Sequence, residues 1–196
     1  MILPKVRDPR FITLRRGGTL TDADHHLLAR LSLDVIPRLP MQTIEFNGWV
    51  LEVDRGATEA AYAEVVASST AECRCADCLR FDARRSELLH PAARALFRRL
   101  GVEEGKEIDL TNFGPDANGL DIWDWLYPFV GRIVSAPVKA ESNGQTAFSS
   151  LSADFALGFS EQATLVGEPF HKRGPVVQAE CFYYEGNAAR AAAEPS

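Results

Sequence analysis

Residues 121–133 read DIWDWLYPFVGRI, and every second position from 123 to 129 carries an aromatic ring. Side chains on a β-strand point alternately to opposite faces, so a strand here would project all four rings from one face. This aromatic face has two interpretations. It packs against helices as part of the core, or it binds a partner, since Trp and Tyr are enriched in interface hot spots.

The segment belongs to a half of the chain that favours strands. From Gly105 onward, aromatic and β-branched residues recur in EIDLTNF, FALGFS and PVVQAECFYYE. Turn signals separate these runs, at Gly114-Pro115, Asn118-Gly119, Asn143-Gly144 and Gly174-Pro175. The pattern predicts several strands joined by tight turns.

The preceding half favours helices around one hairpin. Asn47-Gly48 lies between two short runs of strand-forming residues and predicts a hairpin. Thr58 is expected to cap a helix, helical spacing resumes from about 76 to 90, and a further helix is predicted from Pro91 to a C-cap at Gly101.

This order predicts a single α+β domain, with N-terminal helices and a hairpin followed by a mainly antiparallel sheet. We expect a basic N-terminal arm and helix at 1–40, an α+β core domain at 41–186 and a disordered tail at 187–196.

Composition narrows the functional classes. The chain of 196 residues has a formal net charge of -6, which argues against nucleic-acid binding and suits a basic protein partner. It has no apolar run near the roughly 20 residues that cross a bilayer, so we expect no membrane association. The start lacks a secretory signal, which predicts a cytoplasmic protein with reduced thiols.

Three of the four cysteines lie in ECRCADC, at residues 72–78. Cys73, Cys75 and Cys78 provide up to three of the four thiolate or imidazole ligands of a zinc site. No second ligand pair follows, which leaves His90 or Cys181 as the remaining candidates. The alternatives are reduced thiols that pack beside a helix start, or a pair that oxidises reversibly. No other cofactor is expected.

Sequence signatures of catalysis are missing. GFSEQ lacks the second glycine of a nucleophile elbow, and neither a phosphate-binding glycine loop nor a dinucleotide fingerprint occurs. The pattern therefore favours a non-enzymatic protein.

Two stretches resemble known families. LPKVRDPRFITLRRGGTLTDADHHLLA, within residues 1–30, is similar to the start of a bacterial family of immunity proteins, whose members are mostly helical. Residues from about 42 to 185 resemble a small bacterial family without an established activity, through CRCADCLRF, LFRRLGV, WDWLYPFVGRI and PVVQAECF. That family usually has a histidine where Pro128 stands here, which weakens a catalytic or metal-binding role for this segment.

The first resemblance implies an immunity protein that neutralises a basic toxin by occlusion. The residues expected to bind the partner are Asp121, Trp123, Asp124, Trp125 and Tyr127. Glu103, Glu104 and Glu107 would add negative charge that steers the encounter. The alternative is a small zinc- or thiol-dependent protein that uses the three clustered cysteines.

Overall fold

A computed structural model describes residues 41–117, 119–137 and 147–186 of the chain. The predicted N-terminal arm and helix at 1–40, the tail at 187–196 and the Asn143-Gly144 turn lie outside the described residues.

Seven strands and five helices lie within the described part of the chain. The strands are β1 (Gln42–Phe46), β2 (Trp49–Val53), β3 (Asp109–Pro115), β4 (Asp121–Ser135), β5 (Ala147–Ser150), β6 (Phe155–Ser160) and β7 (Val176–Glu185). The helices are α1 (Arg55–Tyr62), α2 (Ser69–Cys73), α3 (Ala76–Leu88), α4 (Pro91–Leu100) and α5 (Glu168–His171).

All strands join one sheet in the order β1-β2-β4-β7-β6-β5, and β3 also pairs with β4. Each pairing is antiparallel. The 15-residue β4 pairs along one edge with β7. Its other edge is divided, because β3 pairs with the first half and β2 with the second half. The aromatic segment therefore forms the centre of the sheet, and the predicted α+β class is confirmed.

The predicted hairpin is also confirmed. Phe46 pairs with Trp49 across a two-residue turn in which Asn47 has φ 46° and Gly48 has φ 84°. Two consecutive residues with positive φ are typical of a type I′ turn, which matches the right-handed twist of the flanking strands.

Helix α1 begins three residues before the predicted cap. The carboxylate of Asp54 accepts a hydrogen bond from Ala57 N at 2.9 Å, and this bond caps the helix. Thr58 lies inside the helix, where its buried hydroxyl donates to Asp54 O and accepts from Val130 N. The predicted cap was wrong, and Thr58 instead fastens α1 to β4.

Helices α3 and α4 follow the sequence signals closely. Pro91 occupies the first turn of α4, and Gly101 ends it with φ 80°. A side chain at Gly101 would also meet Arg55 O at 2.8 Å, so both the backbone conformation and the space favour glycine.

The hydrophobic core lies between these helices and β4. Phe81 of α3 contacts Trp125 with ring centroids 5.1 Å apart, and Phe97 of α4 contacts Tyr127 at 4.9 Å. Tyr62 of α1 donates a hydrogen bond to Pro128 O. Among the described helices, none has the length and apolar character required to cross a membrane.

Candidate functional site

The three clustered cysteines come together at the junction of α2 and α3. Cys73 ends α2, Cys75 is the N-cap residue of α3 and Cys78 lies in its first turn. Their sulfur atoms all lie within 4.8 Å of one another. Among the described residues, this is the one group of at least three potential metal ligands with such mutual proximity.

The turn between the two helices produces this proximity. Arg74 ends α2 in the left-handed conformation, with φ 54°, and its N–H donates to Thr70 O. Cys75 then adopts an extended conformation before α3 begins. These two residues interrupt the helical conformation between Cys73 and Ala76, and the three sulfurs lie together at this interruption.

The thiols differ in exposure and acidity. Cys73 and Cys75 are exposed, whereas Cys78 is 6% exposed. The pKa of Cys75 is lowered, chiefly by the backbone N–H of Cys78 and then by the thiols of Cys78 and Cys73. Burial raises the pKa of Cys78 to about 12, with further contributions from the Cys75 and Cys73 thiols. The cluster thus joins an exposed thiol whose pKa is lowered to a shielded thiol whose pKa is raised.

A buried ion pair fixes the two helices that carry the thiols. Glu107 is 1% exposed, and its Oε1 accepts from Thr70 Oγ1 at 2.6 Å and from Thr70 N at 3.2 Å. Its Oε2 lies 2.8 Å from Arg85 Nη2. Because Thr70 belongs to α2 and Arg85 to α3, one carboxylate holds both helices in their relative positions. The network therefore preorganises the thiol cluster.

Neither predicted fourth ligand joins the cysteines. His90 is the N-cap residue of α4, where its Nδ1 accepts from Ala92 N, and its ring lies 5.7 Å from that of Phe155. Cys181 is fully buried in β7, paired in register with residues of β4 and β6. Among the described residues, the candidate metal site therefore consists of three sulfurs, without His90 or Cys181.

The aromatic face belongs to the core. Trp123, Trp125 and Tyr127 are 1%, 0% and 0% exposed. Helices α3 and α4 cover them through Phe81 and Phe97. The core interpretation is confirmed, and the platform interpretation is wrong for these three residues because a partner cannot reach them in the folded protein.

The two aspartates lie on opposite faces of the sheet. Asp121 lies on the helix side, where its carboxylate is 3.4 Å from Arg80 Nη2, and Arg80 also covers the ring of Trp123. Asp124 alternates with the aromatic positions and points away from the helices. The five predicted binding residues therefore do not form one surface.

The predicted acidic steering residues are also largely paired. Glu107 is buried against Arg85, Glu104 pairs with Arg94 at 3.0 Å, and Glu103 pairs with Lys106 at 3.0 Å. Such pairing weakens the field that these residues can direct at a partner.

Asp124 lies in an acidic environment. Burial, which is the largest cause, and the charges of Glu180 on β7 and Asp109 on β3 together raise its pKa to about 8. The folded state therefore binds more protons than the unfolded state between about pH 4 and pH 8. The free energy of unfolding falls as the pH rises through this window.

We expect Asp124→Asn to remove this pH dependence. The variant should be at least about 1 kcal/mol more stable than the wild type at pH 9 and nearly equal to it at pH 4. Urea unfolding at a series of pH values measures the effect. If the free energy of unfolding changed with pH in the same way in both proteins, Asp124 would not be the source of the pH dependence.

The face of the sheet that points away from α3 and α4 carries an aromatic cluster that the sequence did not predict. The ring of Phe182 on β7 stacks at 6.4 Å on that of Phe113 and meets that of Phe148 edge-on at 4.8 Å. Phe113 is 61% exposed and Phe148 is 39% exposed. A register shift between Asn112 and Gly114 interrupts the alternation of β3 at Phe113. A period-two pattern alone would not locate this bulge.

Comparison with known protein families, with curated proteins and with solved structures finds no match to this chain, so the two resemblances described above remain predictions.

Proposed function

We propose that the protein binds one zinc ion through the thiolates of Cys73, Cys75 and Cys78. The observation that supports this proposal is the approach of all three sulfurs to within 4.8 Å. A tetrahedral ion with zinc–sulfur bonds of 2.3 Å separates its sulfur ligands by about 3.8 Å, so small side-chain rotations suffice to close the site.

The fourth position of the ion would be open. Two of the three cysteines are exposed, and the group of neighbouring ligand atoms contains no fourth member among the described residues. Structural zinc sites are almost always closed by four protein ligands, whereas functional sites keep a position for water or another ligand. We therefore assign the fourth position to an exchangeable ligand from solution or from a partner. A reducing compartment such as the cytoplasm would preserve the thiols for this role.

Metal content tests the proposal directly. We expect protein purified without chelator to contain about one zinc per chain, and Cys73→Ser, Cys75→Ser and Cys78→Ser each to lose most of it. Cys181→Ser is the matched control, since it also removes a cysteine but should retain the metal. Less than about 0.1 zinc per chain in the wild type, measured by elemental analysis, would refute the proposal.

Protein binding, including toxin neutralisation by a bacterial immunity protein, is the second candidate function. The resemblance of residues 1–30 motivates it, and the exposed rings of Phe113 and Phe148 favour it because clustered apolar groups at a surface serve as contact sites. These rings replace the buried Trp123, Trp125 and Tyr127 as candidate anchors.

Co-purification with the product of the adjacent gene tests this second function. We expect a complex at micromolar concentration, and we expect Phe113→Ser to weaken it. Val66→Ser is the control and should leave the complex unchanged, because it alters a side chain that is 97% exposed in another part of the chain. Absence of a complex would remove the candidate.

A further inference from the structure

We infer a second activity at the thiol cluster: the metal-free protein reduces accessible disulfides by exchange, with Cys75 as the attacking residue and Cys78 as the resolving residue. This activity is independent of the proposed zinc binding, although a bound ion would occupy the same sulfurs and block it.

The position of the pair in the helix supports the inference. Cys75 is the N-cap residue of the 13-residue α3, and Cys78 follows three positions later. Residues three apart on a helix are neighbours, with Cβ atoms about 5–6 Å apart. Because the sulfurs already lie within 4.8 Å, side-chain rotation with a small adjustment of the first turn can bring them to bonding distance.

The difference in exposure assigns the two roles. The exposed Cys75 can meet a disulfide from solution, whereas Cys78, at 6% exposure, is shielded from external reagents. Cys78 nevertheless lies beside the Cys75 sulfur, so it can attack a mixed disulfide formed there. Because Cys78 is protected, a second substrate molecule cannot react with it before it attacks the mixed disulfide on Cys75.

The reaction balances in two steps. The Cys75 sulfur attacks one sulfur of the substrate disulfide, whose S–S bond breaks, and the departing thiolate takes a proton. The Cys78 thiolate then attacks the Cys75 sulfur, the S–S bond of the mixed disulfide breaks, and the second substrate thiolate leaves and takes up the proton that Cys78 gave up. The substrate gains two electrons, the protein forms a Cys75–Cys78 disulfide, and a low-molecular-weight thiol is the class of reductant that restores the dithiol.

The other two cysteines provide the controls. Cys73 is exposed but lies on α2, outside the turn that contains the pair, so exchange should not require it. Cys181 is fully buried in the sheet and should not react in the folded protein. Cys73→Ser therefore separates the two proposals, because it should lose zinc and keep exchange.

The test uses the full chain, reduced and stripped of metal, with glutathione disulfide as the probe and mass spectrometry as the readout. In a Cys73→Ser background we expect an intramolecular disulfide that peptide mapping places between Cys75 and Cys78. Adding Cys78→Ser should trap one glutathione on Cys75, and adding Cys75→Ser should abolish the reaction. A folded protein with an exposed disulfide is the second probe and distinguishes small from macromolecular substrates.

Exchange with either probe supports the inference, and exchange with neither overturns it. It is also overturned if the Cys73→Ser protein forms no internal disulfide, or if glutathione is trapped on a residue other than Cys75. Far-UV circular dichroism of each variant confirms that the fold is retained. A wild type that exchanges disulfides but holds no zinc would refute the proposed function and leave this inference standing.

Discussion

Glu107→Gln is expected to lower the free energy of unfolding by about 3 kcal/mol, since the buried Glu107 is one of the two carboxylates that compensate the charge of Arg85. Arg85 keeps contact with Asp82 at 2.8 Å and with Thr70, which limits the loss. In a chain of this size the change corresponds to a fall in Tm of about 6–12 °C, which thermal and urea unfolding can both measure.

Glu104→Gln is the matched control for this prediction. Glu104 also pairs with an arginine, but both side chains of that pair are about 30% exposed. Such pairs contribute at most about 1 kcal/mol, so the control should stay close to the wild type. Equal effects of the two substitutions would show that the buried position of Glu107 has no special importance.

Glu107→Gln should also weaken the proposed zinc binding in protein that remains folded. Glu107 contacts neither the cysteines nor the proposed metal position, but it joins Thr70 of α2 to Arg85 of α3. Loss of this link would let Cys73 move relative to Cys75 and Cys78. Competition with a chromophoric chelator at a temperature below the unfolding transition measures the affinity, and an unchanged value would contradict the positioning role.

Trp125→Ala is expected to cost about 4 kcal/mol of stability, because it empties the space of a large aromatic side chain in the core. Trp125 is fully buried, and its ring lies 5.1 Å from Phe81 and 5.9 Å from Phe155. The loss should appear as a large decrease in the urea midpoint in the absence of any partner.

Two further variants distinguish core packing from other causes. Trp125→Phe should cost much less, because the buried indole N–H has no hydrogen-bond acceptor among the described residues and phenylalanine retains most of the ring. Phe113→Ala, which truncates a side chain that is 61% exposed, should change stability by less than about 1 kcal/mol. A nearly neutral Trp125→Ala would place this side chain outside the core.

Local signals predicted the elements of this fold well. Asn47-Gly48 fixes a hairpin through its own backbone preferences, and Pro91 and Gly101 mark the ends of α4 for the same reason. The alternation of β4 correctly placed four rings on one face. The alternation alone could not reveal whether helices cover the aromatic face, because the covering residues lie more than twenty positions away in the sequence.

The features that the sequence missed depend on contacts between distant residues. Glu107 lies among charged neighbours and resembles a surface residue, but Thr70 and Arg85 enclose it from 37 and 22 positions earlier in the chain. The proximity of three cysteines was evident from their spacing. The sequence did not show that His90 and Cys181 lie apart from these cysteines, since α4 holds His90 and β7 holds Cys181 in other places.

The position of β7 between β4 and β6 has a consequence for synthesis on the ribosome. The ribosome makes β4, β5 and β6 before β7, yet among the described residues the backbone pairing that connects β4 with β6 runs through β7. Until residues 176–185 emerge, no backbone pairing connects β4 with β6, and the edges of these two strands that face β7 in the folded protein are unpaired. Such edges associate readily with other chains, so chains arrested before Val176 should aggregate or require a chaperone.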